Sequence, residues 1–194
     1  MSFDEGSSVN STVLPVLVLA GGPAVGKSAT ASGLAASLPR CAVIEVDDVR
    51  QLVRSGAAAP WEGEEGLRQQ VLGVRNACAL AREFTAAGVA VVVTDVVTPS
   101  TLALYRELLP GVVAMHLVAA PEEVRRRAGT RPVYLTDAQF AMLHAQDEEN
   151  PPPADAQLDV TDVSLEVQVR MVRQAWLAAA AHGWTAPRHD HQNP

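Results

Sequence analysis

Basic residues of one kind are almost missing from this chain. Of its 15 basic side chains only one is a lysine, Lys27, and all the others are arginine. Aromatic residues are scarce at 4%, so a core has to be built from Ala, Val and Leu, which dominate an apolar fraction of 48%. The two cysteines, Cys41 and Cys78, have no metal-type spacing and read as reduced thiols of a cytoplasmic protein. No apolar run reaches the roughly 18–20 residues of a membrane span. Met1 to Thr12 is polar and slightly acidic, without the basic start and apolar stretch of a signal peptide. Positive charge is also lacking overall. A net charge of −7 argues against nonspecific nucleic-acid binding and confines any phosphate-binding surface to a local basic patch. A length of 194 residues suits one domain with a sizeable core.

What is present is an alternation of short apolar runs with helical patterns. Strands are expected at Leu14–Ala20, Ala42–Val46, Val89–Thr94, Val112–Val118 and Gln157–Thr161. Helices are expected at Ser28–Leu38, Val49–Arg54, Glu64–Ala87, from Thr98-Pro99 to Pro110, Glu122–Ala128, from Thr136 to Gln146, and Ser164–Ala181. In the long helix, Leu67, Val71, Val74, Cys78, Ala81 and Phe84 make a candidate buried stripe. Gly129–Tyr134 and the acidic, proline-rich Asp147–Ala154 read as loops. Met1–Val13 reads as a disordered leader and 184–194 as a polar, flexible tail. The alternation implies an α/β fold, a five-stranded parallel sheet wrapped by helices on both faces.

One stretch organises the rest. Gly21-Gly22-Pro23-Ala24-Val25-Gly26-Lys27-Ser28 has the spacing G-x-x-x-x-G-K-S and sits between the first strand and a helix that continues through Ala29. Backbone N–H groups of such a loop, with the unpaired N–H groups of the helix behind it, form a nest for a phosphate chain. Lys27 can reach the outer phosphates and the Ser28 hydroxyl can ligate Mg²⁺. Phosphoryl transfer needs three further parts. A metal-side carboxylate is offered by Asp95, at the tip of Val91-Val92-Val93-Thr94, with a cap of the following turn as the lesser reading. A base for the acceptor hydroxyl is offered by Asp47, just past the second strand, with Asp48 the candidate helix cap. Positive charge over the phosphates is offered by Arg127 and Arg131, in a lid at about 125–150; Arg125 reads more simply as part of a solvated helix end.

Other chemistries fail on composition. An Asn-Lys-x-Asp guanine motif cannot form with the only lysine at 27. No His/Cys cluster has zinc spacing. His189-Asp190-His191 lies in the polar tail, His116 reads as a structural strand residue, and His144 and His182 carry no signal. No aromatic platform for single-stranded nucleic acid is visible.

Taken together, the loop, Val46-Asp47-Asp48, Val93-Thr94-Asp95-Val96, the Arg127/Arg131 segment and Leu158-Asp159-Val160-Thr161 resemble the small P-loop kinases of the nucleoside-monophosphate-kinase-like group. Within that group they are closest to the chloramphenicol phosphotransferase-like proteins and more loosely similar to the zeta-toxin and tunicamycin-resistance proteins. The resemblance spans about residues 14–182. It implies a three-layer P-loop NTPase fold, ATP and Mg²⁺ as cofactors, a small-molecule acceptor such as an antibiotic or a sugar-like metabolite, Asp47 as base, Arg127 or Arg131 on the ATP phosphates, and the Asp159–Asp162 loop near the adenine. Arg50–Arg75, which would line the acceptor pocket, holds Arg54, Trp61, Glu62, Glu64 and Arg68 and no chloramphenicol-specific match. Two alternatives remain open: a nucleotide-binding switch without acceptor chemistry, and a nucleotide or polynucleotide-end kinase.

Overall fold

The computed structural model describes residues 14–129 and 135–181. The expected leader, most of the loop at 129–134 with Arg131, and the tail with His182, His189 and His191 lie outside the described residues.

Five strands form: β1 (Leu17–Ala20), β2 (Cys41–Glu45), β3 (Ala90–Thr94), β4 (Val113–Val118) and β5 (Ala156–Asp159). Seven helices accompany them: α1 (Lys27–Ala36), α2 (Val46–Arg50), α3 (Gly63–Ala86), α4 (Pro99–Leu108), α5 (Pro121–Ala128), α6 (Asp137–Glu149) and α7 (Leu165–Ala181). The sheet order is β2-β3-β1-β4-β5 and every pairing is parallel. The five-stranded parallel sheet expected from the sequence is therefore present.

The strand period of two sorts β1 between two cores. Leu17 and Leu19 face one layer with Ala31 and Leu34 of α1 and Val172 and Trp176 of α7. Val18 and Ala20 face the other with Val74 and Cys78 of α3 and Leu102 and Tyr105 of α4. All four β1 residues are essentially inaccessible, as a strand buried on both faces must be. Because α1 and α4 lie on opposite faces, the chain leaves the neighbouring strands β1 and β3 in opposite directions. That divergence opens a crevice at their C-terminal ends, where open α/β sheets bind ligands.

Three expectations need correction. β2 passes into α2 without a loop, so Asp47 and Asp48 stand in the first turn of a helix that starts at Val46 rather than before one starting at Val49. Asp48 does not cap it, since the cap position is Glu45. On α3, Leu67, Val71 and Phe84 are exposed, at 56%, 38% and 40%. Val74, Cys78 and Ala81 are buried as expected, and Gly66, Gly73 and Ala77 complete the buried face. Close approach selects small residues there: a Cβ on Gly66 would lie 1.9 Å from the Ala59 carbonyl oxygen. Finally, α6 runs on to Glu149, so Asp147 is helical and not part of a loop. Its start is as expected, with a capping box between Thr136 and Gln139.

The scarcity of aromatics makes Trp176 an outsized part of the core. It is fully buried and donates its indole N–H to the Pro15 carbonyl at 2.9 Å, joining α7 to the entry of β1. Trp176→Ala is expected to cost about 3–5 kcal/mol in denaturant unfolding. A loss under about 1 kcal/mol, the size of an ordinary surface change, would contradict this packing.

Candidate functional site

The glycine-rich loop leaves β1 at Gly21, whose φ of +138° no L side chain readily adopts. A Cβ there would also sit 2.4 Å from the Leu117 carbonyl oxygen of β4. The loop closes at Gly26, left-handed at φ +107° and N-cap of α1. Between them Ala24, at φ +61°, is the one non-glycine residue of positive φ among the described residues. Lys27 opens α1 and folds its ammonium back over the loop, donating to the Gly21 and Gly22 carbonyls at 2.8 and 2.9 Å.

The loop is braced from behind by residues of three helices. From α7, the buried Gln168 donates its amide to Thr30 Oγ1 at 2.7 Å and, more weakly, to the Val25 carbonyl at 3.5 Å. Arg127, at the end of α5, uses all three kinds of guanidinium nitrogen: Nη1 on the Val25 carbonyl at 2.8 Å, Nη2 on the Val160 carbonyl at 2.6 Å, and Nε on Glu123 at 2.6 Å. The hydrogen bonds from Arg126 and Arg127 hold the Glu123 carboxyl down at about 2. Asp147 on α6 accepts from the Gly22 N–H at 3.1 Å and meets His116 Nε2 of β4 at 3.0 Å. His144, one turn earlier on α6, donates to the Pro23 carbonyl at 2.9 Å. Burial lowers the His144 pKa, against the pull of that carbonyl, so the ring is read as neutral with its proton on Nε2.

The carboxylates divide differently from the expectation. The group that meets the Ser28 hydroxyl is Glu45, at 2.8 Å. Asp95, the expected metal-side carboxylate, is fully committed elsewhere. Its Oδ1 accepts from Arg50 at 2.6 Å and from the Val96 N–H at 2.8 Å, and its Oδ2 accepts from the Tyr105 hydroxyl at 3.0 Å. Burial pushes the Asp95 carboxyl up, opposed first by the Arg50 charge. Arg50, which burial alone would lower, is raised by Asp95 and Asp47 together. An arginine stays protonated at any working pH, so we read the pair as ionised. Asp47 accepts from the other arm of Arg50 at 2.6 Å and is 71% exposed.

Lys27, Ser28, Glu45 and Asp47 line one cavity of about 740 Å³. Its far wall is the 57–61 segment with Leu67, Gln69 and Gln70 of α3, and Met142, Leu143 and Gln146 of α6 close the top. Thr94 and Val96 reach this cavity; Asp95 does not. The geometry thus brings Lys27, Ser28 and Asp47 together, places Arg127 behind the loop, and adds Glu45, Arg50, His144, Asp147 and Gln168, which sequence reasoning missed. Three of these carried a legible signal. Glu45 is the lone charge in an apolar strand, and His144 and Asp147 stand three apart on one helix face.

No protein-family model matches the chain, and no curated protein matches it in sequence. Solved structures match it in fold, and several of those proteins are kinases of small molecules. A sugar kinase from Janibacter sp. HTCC2649 superposes with a TM-score of 0.65 at 20% identity, over 86% of this chain and 96% of that one. The shikimate kinase of Aquifex aeolicus gives 0.59 at 18% identity, over 87% and 99%. The APS kinase of Mycobacterium tuberculosis, solved with AMPPNP and APS, gives 0.60 at 15%, over 84% and 97%. At these identities the likeness establishes the fold.

Gly21→Ala forces a methyl group against a backbone carbonyl at a left-handed position. It is expected to cost about 1–3 kcal/mol, read as a lowered Tm. A variant as stable as the parent would show that the loop does not hold this conformation.

Proposed function

We propose that the protein is an ATP- and Mg²⁺-dependent kinase that transfers the γ-phosphoryl group to a hydroxyl of a small molecule. The observation that carries this reading is the shared cavity: a phosphate-loop lysine, a hydroxyl–carboxylate pair and an exposed carboxylate open onto one space at the C-terminal ends of parallel strands. A nucleotide switch has no need of Asp47 or of an acceptor-sized volume beside the loop.

The loop amides and the N-terminus of α1 hold the phosphates, and Lys27 swings from the Gly21 and Gly22 carbonyls to the outer ones. The Ser28 hydroxyl and Glu45 carboxylate are hard oxygen donors that suit Mg²⁺, which is bound in such sites by one or two protein groups together with the phosphates. Among the described residues no group of three carboxylate, His or Cys ligands competes as a metal cage. When bound, Mg²⁺ would neutralise charge on the phosphates. Arg50 holds Oδ1 of Asp47, and Oδ2 has no partner among the described residues. That oxygen takes the acceptor's proton as its hydroxyl oxygen bonds to the γ-phosphorus and ADP leaves. In this reading Arg131 supplies lid charge to the transferring group. Arg127, spent on carbonyls, orders the loop and the 159–162 segment beside the adenine. Asp95 supports the site through Arg50.

For the acceptor, Trp61, Leu67 and Met142 are exposed apolar side chains gathered on one cavity, which suits a hydroxyl compound with an apolar face. An antibiotic of the chloramphenicol phosphotransferase-like kind or a substituted sugar meets that description, and resistance to such a compound is the biological role it would confer. A cytoplasmic location fits ATP as donor. No helix among the described residues is long and apolar enough to cross a membrane.

ADP release across a panel of alcohols tests the reading. Asp47→Asn is expected to bind AMPPNP normally and to lower kcat by about 10²–10⁴-fold. Near-parental transfer by that variant would place the base elsewhere. Lys27→Ala is expected to lower kcat by at least about 10²-fold with an unchanged Tm. Undiminished turnover would remove Lys27 from the reaction.

A further inference from the structure

We propose that Arg50 is a positioning residue that aims the Asp47 carboxylate into the cavity, and that Asp95 and Tyr105 hold Arg50 from behind. This rests on the reading of Asp47 as base.

Asp47 is 71% exposed and stands three residues before Arg50 on a five-residue helix. An exposed pair of this kind fixes little by itself, because ordering two mobile side chains cancels most of the attraction. Here the arginine is not mobile. Its side chain is 16% exposed and its second arm ends on Asp95, a carboxylate with no exposed surface. Asp95 is in turn held by the Val96 N–H and the Tyr105 hydroxyl. The entropy of fixing Arg50 is thus met inside the core, and Asp47 docks on a guanidinium already in place. The planar fork matters, since Nη1 meets Asp47 and Nη2 meets Asp95 at 2.6 Å each, in a fixed relative geometry that a single ammonium nitrogen does not offer.

Neighbouring sequence makes room for this strut. A Cβ on Gly73 of α3 would lie 2.8 Å from the Arg50 Cγ and 3.1 Å from its Nε. Gly73 is one of the small residues on the buried face of α3, and its missing side chain is the notch through which Arg50 reaches Asp95. Arg50 Nε lies buried beside that notch with no hydrogen-bond partner among the described residues, so the side chain is placed for its two end nitrogens rather than for complete hydrogen bonding. A pair kept only for stability is poorly explained by such an arrangement, because buried ion pairs return little net stability.

The test combines turnover and crystallography on Arg50→Lys, Tyr105→Phe, Gly73→Ala and Asp95→Asn. The first three spare the buried carboxylate and guard against Asp95→Asn failing to fold. ADP release from Mg-ATP with glycerol at molar concentration is the activity probe, and AMPPNP affinity and Tm are read beside it. Arg50→Lys is expected to lower kcat by about 10-fold or more while AMPPNP affinity stays unchanged. In an Asp47→Asn background the same change is expected to have no further effect. Crystals of Arg50→Lys and Gly73→Ala should show the Asp47 carboxylate turned from its present rotamer. Independent losses from Arg50→Lys and Asp47→Asn, or an unmoved Asp47 in both crystals, would overturn the proposal. Full activity in Asp47→Asn alone would instead refute the base assignment, and the crystals would still decide whether Arg50 orients this carboxylate.

Discussion

Everything at this site depends on a backbone that takes a positive φ three times within six residues while pressed against a neighbouring strand. Gly21 cannot carry a side chain because the Leu117 carbonyl occupies the space, and Gly26 must be left-handed to start α1 where it does. Those two constraints leave the loop as nearly bare peptide, with the Gly21 and Gly22 carbonyls turned toward Lys27. A concave row of amides at a helix start is an anion site by its dipoles alone, before any side chain is counted.

Such a loop is a poor candidate for self-stabilisation, since it includes an alanine at positive φ. The structure supplies the missing order from outside. Gln168, Arg127, His144 and Asp147 each spend a polar group on loop backbone, and three different helices are thereby tied to one turn. The same pattern recurs across the cavity, where Arg50 is anchored in the core and Asp47 stays exposed. Rigid support behind a functional side chain is the arrangement that positional catalysis requires.

The sheet and the loop were legible because their signals are local. A buried parallel strand reads as an unbroken apolar run, and the loop motif has fixed spacing. Thr98 and Thr136 announced their helices through capping chemistry that depends on a few adjacent residues. What stayed hidden was tertiary. The α3 stripe misled because apolar periodicity assumes a helix packing at ordinary distance; this one packs so closely that Gly66 and Gly73 face inward and Leu67 faces out. Asp95 looked like a metal-side carboxylate because it ends an apolar strand, but nothing local revealed that Arg50, 45 residues earlier, would reach it. Asp147 looked like loop because prolines follow it, yet its helix continues and carries it to His116 and Gly22. The support of the site comes from contacts across long stretches of chain, and a single sequence does not display those pairings.

The central claim is that this bare turn receives the phosphates of a nucleotide next to Asp47. A crystal structure with AMPPNP and Mg²⁺ tests it most directly, through one atom. The account predicts that Lys27 Nζ leaves the Gly21 and Gly22 carbonyls for the terminal phosphates, with the γ-phosphate facing the cavity that Asp47 lines. Lys27 unmoved on those carbonyls, with the nucleotide bound elsewhere or the γ-phosphate turned from Asp47, would contradict it.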